Sequence, residues 1–219
     1  MFATPDITTQ DSERMKAWLS RLPDTKSVAH FVGSAEIQRI GLRFDIAKLR
    51  EALDQALALV HFKGDLDRGF GAFSLTRRSG VEIETANDLS GRFYTRVNDS
   101  YEEVEREDLV DEFAFTEFVP TFKGTYFELV HQELTKRFPI GRMRVLSKAP
   151  YNCNSWHRDP EPRLHIPIIT NPGSLFIVNH HVTHLPADGS VYFTDTRGYH
   201  SALNGGESRR VHLVAALPL

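Results

Sequence analysis

Three stretches of the chain carry apolar residues at the three- and four-residue spacing of an amphipathic helix. The first is predicted to be capped by Asp11 and stopped by Pro23. Its apolar face comprises Met15, Trp18, Leu19 and Leu22. A second helix is predicted to begin at Asp45, and a third to cover residues 125–137. Their inward positions are Ile46, Leu49, Leu53, Leu57 and Val60 in one, and Phe127, Val130 and Leu134 in the other.

After Pro139 the pattern changes to short β-rich segments separated by turn signals. The predicted strands cover residues 142–147, 163–170, 174–179, 190–194 and 209–217. Many short strands with such turns favour a sandwich or barrel. We therefore expect a mainly β protein with flanking helices, built on a double-stranded β-helix (jelly roll, cupin-like) core. In one continuous domain, residues 140–219 would form that core, and residues 1–139 a helical and mixed extension contributing lid and core support.

Two further segments lie between the second and third helices. Short strands are predicted at 70–76 and 92–97. Residues 101–112 then carry seven acidic residues against a single basic one, Arg106. Such a segment is typical of a solvated helix or loop, and the alternative is a docking surface for a cationic partner.

Composition narrows the class of protein. With 26 Lys and Arg against 29 Asp and Glu, the net charge of -3 offers no general attraction for nucleic acid. Apolar runs are too short for a bilayer span, and the first residues lack the basic and apolar pattern of a signal peptide, so we expect neither membrane insertion nor export. The single cysteine, Cys153, favours a reduced cytoplasmic setting and is predicted to be a small buried residue.

Imidazoles are concentrated where the predicted strands are densest. Seven of the ten histidines lie beyond residue 150. They are His157, His165, His180, His181, His184, His200 and His212. On an extended segment, His157 and Asp159 lie on one side of the chain, where both can bind one metal ion. His200, just past a predicted strand, completes a candidate set of two histidines and one carboxylate.

Three ligands on one face leave three coordination positions free, which suits Fe(II) in oxygenases that bind a bidentate cosubstrate and dioxygen together. Zinc enzymes also use such ligands, so the ligand types alone leave the metal open. Arg210 adds a second feature, since its guanidinium could bind the distal carboxylate of a dicarboxylic cosubstrate with about 1.5–3 kcal/mol. Arg209 is its rival, because strand alternation allows only one of the two to face inward.

Each of these residues also has a structural interpretation. His157 and Asp159 could be a surface pair in a proline-rich turn. Arg163 and His165 share one strand face and could point inward, where a histidine is often only a hydrogen-bonded core residue. The group at 180–184 is expected in a loop, because Pro186 and the β-rich context argue against the helix that a metal pair at this spacing needs.

Taken together, these motifs resemble the aspartyl/asparaginyl β-hydroxylase-like Fe(II)/2-oxoglutarate-dependent dioxygenases, including bacterial enzymes that hydroxylate free amino acids such as proline. The resemblance spans residues 144–217, about a third of the chain. It consists of His157-Arg-Asp159, Arg163-Leu-His165, the segment from Gly189 through Asp195 to His200, and Arg210-Val-His-Leu-Val214. Animal members of the family lack the carboxylate ligand, so the presence of Asp159 favours the bacterial small-molecule branch.

The resemblance implies an iron-dependent hydroxylase that uses 2-oxoglutarate as cosubstrate together with molecular oxygen. It implies that His157, Asp159 and His200 form the catalytic iron site. Arg210 would bind the distal carboxylate of 2-oxoglutarate, and Arg163 or His165 would help to position cosubstrate or substrate.

The substrate implied is a small molecule, a free amino acid or a derivative. One alternative is a hydroxylase of Asp or Asn side chains in a polypeptide. Another, of a different class, is a non-catalytic β-sandwich module that binds zinc or nickel, in which Arg210 would have no role.

Overall fold

The computed structural model describes residues 9–20, 36–82, 84–179 and 181–218. Its helices are α1 (Thr9–Leu19), α2 (Ile46–Leu57), α3 (Ala86–Ser90) and α4 (Tyr126–Thr135). The early strands are β1 (Ile37–Arg43), β2 (Phe70–Ser74), β3 (Thr76–Arg77), β4 (Thr95–Val97), β5 (Glu103–Glu105) and β6 (Glu117–Phe118). The later strands are β7 (Met143–Lys148), β8 (Asn152–Cys153), β9 (Arg163–Ile169), β10 (Ser174–Val178), β11 (His181–His184), β12 (Ser190–Thr194), β13 (His200–Asn204) and β14 (Arg210–Ala216).

Two antiparallel sheets form the centre of the molecule. The larger sheet has the order β1-β12-β9-β14-β7-β2, and the smaller has the order β11-β10-β13-β8. The eight strands from β7 to β14 are thus divided equally between facing sheets, which is the jelly-roll arrangement. The predicted fold class, mainly β with a jelly-roll core, is confirmed.

The larger sheet separates a helical layer from a polar interior. On β9, Leu164 and Ile166 belong to a buried apolar cluster that includes α2 and α4 residues such as Leu53 and Phe127. Residues between them on the strand point to the other face, because side chains alternate along a strand. That other face carries Arg163, His165, Arg210 and His212, all of them buried. Helices thus supply apolar packing on one side, and the space between the sheets is left for polar chemistry.

The three long helices lie where the apolar spacing predicted them, with corrections at their ends. In the structure α1 already includes Thr9, so Asp11 lies within the helix and not at its start as predicted. Leu22 and Pro23 lie outside the described residues. Asp45 caps α2 as predicted, its Oδ1 accepting hydrogen bonds from the backbone N of Ala47 and Lys48. The helix ends at Leu57, so Val60 packs against the core from beyond it.

Several strands were not predicted, and three expectations were wrong. The strands that the sequence did not predict are β1, β5, β6, β8 and β13. A loop was expected where His181–His184 form β11 at the edge of the smaller sheet. The acidic segment is not wholly solvated, because Glu112 is buried beside Arg142. Cys153 is exposed, since its two-residue strand is the other edge of the smaller sheet.

A small hairpin of β4 and β5 lies beside the two segments that carry His157 and His200. The backbone N of Tyr94 donates to the carbonyl of Arg158 at 2.8 Å. From the other strand, Glu103 accepts a 2.6 Å hydrogen bond from the hydroxyl of Tyr199. The hairpin is therefore attached next to both histidines of the candidate ligand set.

None of the described helices has the length and apolar character needed to cross a membrane.

Candidate metal centre

The two histidines of the candidate set are brought together by backbone pairing. His157 and His200 form an isolated antiparallel bridge, in which the N of His157 donates to the carbonyl of His200 at 3.3 Å and the reverse bond measures 3.0 Å. Asp159 follows on the same segment, held by a 2.8 Å bond from its backbone N to the carbonyl of Thr196. The loop after β8 thus lies along the start of β13.

The three side chains converge on one point. Their ligand atoms all lie within 4.8 Å of one another, and all three residues are buried. Nε2 of His157 lies 3.8 Å from Oδ1 of Asp159, and Nε2 of His200 lies 3.2 Å from Oδ2. An ion placed between these atoms would contact two imidazole nitrogens and one carboxylate.

Hydrogen bonds at the far side of each imidazole set the tautomer that a metal needs. Nδ1 of His157 lies 2.7 Å from the carbonyl of Ser155, and Nδ1 of His200 lies 3.1 Å from that of Gly198. A carbonyl can only accept, so each Nδ1 carries the proton and each Nε2 keeps its lone pair for a metal. Burial lowers the pKa of His157 to about 4, although neighbouring Asp159 opposes the shift. His157 is therefore neutral at physiological pH.

Asp159 is the anionic member of the set. Its Oδ2 is buried without a well-aligned hydrogen bond among the described residues, as expected of an atom that serves a metal. Burial alone would raise the pKa of this carboxyl, but Arg163, with Nη1 2.9 Å from Oδ2, and the two histidines hold it well below its usual value. Asp159 is ionised, and the donor set of two imidazoles and one carboxylate fits Fe(II).

Arg163 belongs to a buried charge network behind the ligands. Its guanidinium also contacts Glu161 at 3.1 Å, so it holds the loop that carries Asp159. Burial, with repulsion from Glu112 and Asp159, raises the pKa of Glu161 to about 7 despite the opposing effect of Arg163. Arg163 is therefore placed to orient the Asp159 carboxylate.

A cavity opens from the ligand set into the space between the sheets. His157 and His200 line it, together with Arg163, His165 and Arg210. Aromatic rings flank the two ligands: Phe93 stacks on His157 with ring centroids 4.3 Å apart, and Phe176 stacks on His200 at 5.9 Å. The two candidate ligands His157 and His200 thus line the cavity and have aromatic rings at their sides.

The predicted cosubstrate residues also lie at this cavity. Arg210 faces inward and is 6% exposed, whereas Arg209 is exposed and donates to the Ser147 hydroxyl. His165 is buried, and its Nε2 has no hydrogen-bond partner among the described residues. His212 contacts the Arg210 guanidinium at 2.9 Å. Burial and the neighbouring Arg210 lower the pKa values of His165 and His212 well below that of a free imidazole, so both rings are neutral.

Two further histidines, His181 and His184, make other contacts and do not join the candidate ligand set. His180 lies outside the described residues. His181 contacts Glu36 at 2.6 Å, and Nδ1 of His184 lies 2.9 Å from the carbonyl of Ser174.

Sequence analysis missed one charged residue of the cavity, Lys148. The predicted strand stopped at Ser147, yet Lys148 is the last residue of β7, is 3% exposed and lines the cavity. Arg210 is its cross-strand partner on β14. The sequence held one sign of this position: side chains alternate along a strand, so Lys148 shares a strand face with Arg144 and Leu146.

Comparison with known proteins gives matches in structure only. No protein-family profile and no curated protein sequence matches the chain. An oxidoreductase of the 2OG-Fe(II) oxygenase family from Burkholderia pseudomallei is similar with a TM-score of 0.47 and 14% identity, covering 77% of each chain. IDO from Bacillus thuringiensis gives 0.45 at 9% identity, covering 95% of this chain and 94% of that one.

More distant matches include a predicted oxalate decarboxylase from Thermotoga maritima, with a TM-score of 0.32 at 19% identity over 66% of this chain and 98% of that one. At such values the similarity concerns the fold, and the chemistry must be derived from the side chains.

Proposed function

We propose that this protein is an Fe(II)- and 2-oxoglutarate-dependent hydroxylase of a small molecule, a free amino acid or a derivative. One observation carries the proposal: His157, Asp159 and His200 converge at a cavity that Arg210 also lines. A metal-binding face and a buried guanidinium in one cavity match a cosubstrate with a chelating head and a distal carboxylate.

In this proposal the ligand set holds the iron and leaves its cavity side free. With both Nδ1 protons engaged by backbone carbonyls, the imidazoles cannot rotate without losing a hydrogen bond. Arg163 keeps Asp159 ionised and in place. When bound, Fe(II) supplies the chemistry by which dioxygen oxidises a C–H bond to an alcohol while 2-oxoglutarate is converted to succinate and carbon dioxide.

Arg210 would orient the cosubstrate. A guanidinium presents a rigid fork that matches the two oxygens of a carboxylate, and burial strengthens that contact. Burial lowers the pKa of Arg210 to about 10, which still leaves it cationic at neutral pH. Among the described residues Arg210 has no carboxylate within ion-pair distance, so its charge is available to a ligand.

The cavity walls favour a reaction protected from water. Phe93, although 47% exposed, stacks its ring on that of His157. Phe176 and Val214 contribute apolar surface on the inner side. Restricted access and a fixed ligand geometry are what positioning of a substrate C–H bond requires.

The proposal is tested by adding Fe(II) and 2-oxoglutarate to the protein without oxygen. A weak visible charge-transfer band should appear and be absent from the His157→Ala variant. A band that never forms would contradict the proposal and favour a non-catalytic metal module. Succinate release across a panel of free amino acids and short peptides then tests the substrate class: stimulation by peptides alone would favour the hydroxylation of Asp or Asn in a polypeptide.

A further inference from the structure

Lys148 and Arg210 form a pair of buried cations at the cavity. They are direct cross-strand partners in the β7–β14 ladder, and both side chains line the cavity. Opposed residues of an antiparallel pair have Cα atoms about 4.5–5.5 Å apart. The side chains that carry the ammonium and the guanidinium therefore leave the backbone at neighbouring positions on the same face of the sheet.

Neutral groups surround this pair. Nζ of Lys148 is held by the amide oxygens of Asn152, at 3.0 Å, and Asn154. Arg210 contacts the ring of the neutral His212. By contrast, Arg163 at the cavity and Arg197 elsewhere in the core are buried cations that each contact a carboxylate within 3 Å. Among the described residues no such carboxylate accompanies Lys148 or Arg210.

Two adjacent buried cations without a counter-charge are costly, since burial disfavours charge and the like charges repel. Burial, followed by the effect of Arg210, lowers the pKa of Lys148 to about 8. An ammonium has three donors, and the two asparagine oxygens use two of them. The third N–H of the Lys148 ammonium is left for an anion, and Lys148 lies next to the Arg210 guanidinium.

We propose that Lys148 and Arg210 bind one carboxylate between them, so that Lys148 is a second specificity-determining residue for the distal carboxylate of 2-oxoglutarate. This inference rests on the proposed function. A carboxylate has about four lone-pair sites, enough for a forked guanidinium and an ammonium together. A single anion suits the pair better than two anions, because both cations start from neighbouring points on one strand pair.

The competing interpretation is that Lys148 only ties β7 to β8 through the two asparagines. The two roles differ in which ligands they affect. A tie between strands would influence every 2-oxo acid through the shape of the site. A carboxylate-binding lysine would influence only ligands that carry a distal carboxylate.

The test is an equilibrium titration of the Fe(II)-loaded protein without oxygen, using 2-oxoglutarate and pyruvate. Pyruvate has the same chelating head and lacks the distal carboxylate. Lys148→Met should weaken 2-oxoglutarate binding by about ten- to a hundredfold and leave pyruvate binding unchanged. Lys148→Arg should recover most of the loss. Lys123→Met, at an exposed lysine, is the matched control and should bind both acids as the wild type does.

Each other outcome is decisive. Equal weakening for both acids, or no weakening, would overturn the role of Lys148 while leaving the proposed function intact. A wild-type protein that binds neither acid would contradict the proposed function and this inference with it. If Lys148→Met does not fold, Asn154→Asp serves instead, because a carboxylate beside the ammonium should compete with 2-oxoglutarate and not with pyruvate.

Discussion

His157 and His200 exchange backbone hydrogen bonds across two chain segments, with N–O distances of 3.3 and 3.0 Å. The spacing of the two imidazoles is therefore set by the main chain, before any metal binds. A site arranged in this way loses little conformational entropy on binding an ion. Replacing one ligand side chain should therefore remove metal affinity while leaving the fold in place.

We expect His200→Ala to lower Fe(II) affinity by more than about a hundredfold, since loss of even an outer contact to a ligand costs ten- to a hundredfold. Metal titration would measure the effect, and circular dichroism would check the fold. His61→Ala is the control at an exposed histidine and should bind as the wild type does. Unchanged affinity in the His200 variant would contradict the assigned ligand set.

Arg210, the first residue of β14, and Arg209, which precedes it, form a matched pair for mutation. Arg210→Met should weaken 2-oxoglutarate binding by tens-fold or more, because a buried charge-assisted contact is lost. Arg209→Met should leave it unchanged, since that side chain is exposed on the opposite face. The charge-transfer band, titrated with 2-oxoglutarate, gives both dissociation constants. The same loss in both variants would mean that the effect is not a cavity contact.

The pH dependence of cosubstrate binding reports on Lys148. Burial and the Arg210 charge lower the pKa of Lys148 to about 8, while proximity to Cys153 opposes this shift. The protonated amine is the form that attracts an anion. Affinity for 2-oxoglutarate should therefore be constant below about pH 8 and fall above it, by up to about tenfold per pH unit.

Two comparisons check the assignment of that pH dependence. In Lys148→Met the fall above pH 8 should disappear. In the wild type, pyruvate should not show it. An unaltered pH profile in the variant would assign the titration to another group.

Glu112 is the buried carboxylate of the acidic segment. The Glu112 carboxylate accepts a 2.8 Å hydrogen bond from the backbone N of Arg142 and pairs with its guanidinium, and both side chains are buried. Glu112→Gln should destabilise the protein by about 3 kcal/mol, because it leaves Arg142 short of a counter-charge. Glu107→Ala, at an exposed position nearby, should change stability by less than about 0.5 kcal/mol. Urea unfolding measures both, and equal values would contradict the assigned role.

The periodicity of apolar residues in the sequence predicted the three long helices and most of the longer strands of the jelly roll. Helix positions such as Leu53 and Phe127 recur at helical spacing, and both are buried against the larger sheet as that spacing implies. Strands β9, β10, β12 and β14 are rich in β-branched residues and end near the predicted points. The adjacency of His157 and His200 was inferred from ligand chemistry, since the bridge between them depends on a pairing across more than forty positions.

The elements that were missed depend on partners distant in sequence. The two residues of β8 carry no pattern of their own and become a strand only by pairing with Leu203 and Asn204. A lysine at a strand end is ordinarily solvated, so the parity that Lys148 shares with Leu146 was too weak a signal to predict its burial opposite Arg210. Glu112 was likewise hidden by its acidic neighbours, because local charge density does not show which member meets Arg142.

The strands contributed by the first half of the chain have a consequence for how the protein can be divided. β1 pairs with β12 at one margin of the larger sheet, and β2 pairs with β7 at the other. If they were removed, the main-chain amides and carbonyls along both margins would be left without partners and could recruit strands from other molecules. By pairing with both margins, β1 and β2 prevent other molecules from adding strands to the sheet. A fragment limited to residues 140–219 would therefore be prone to aggregate.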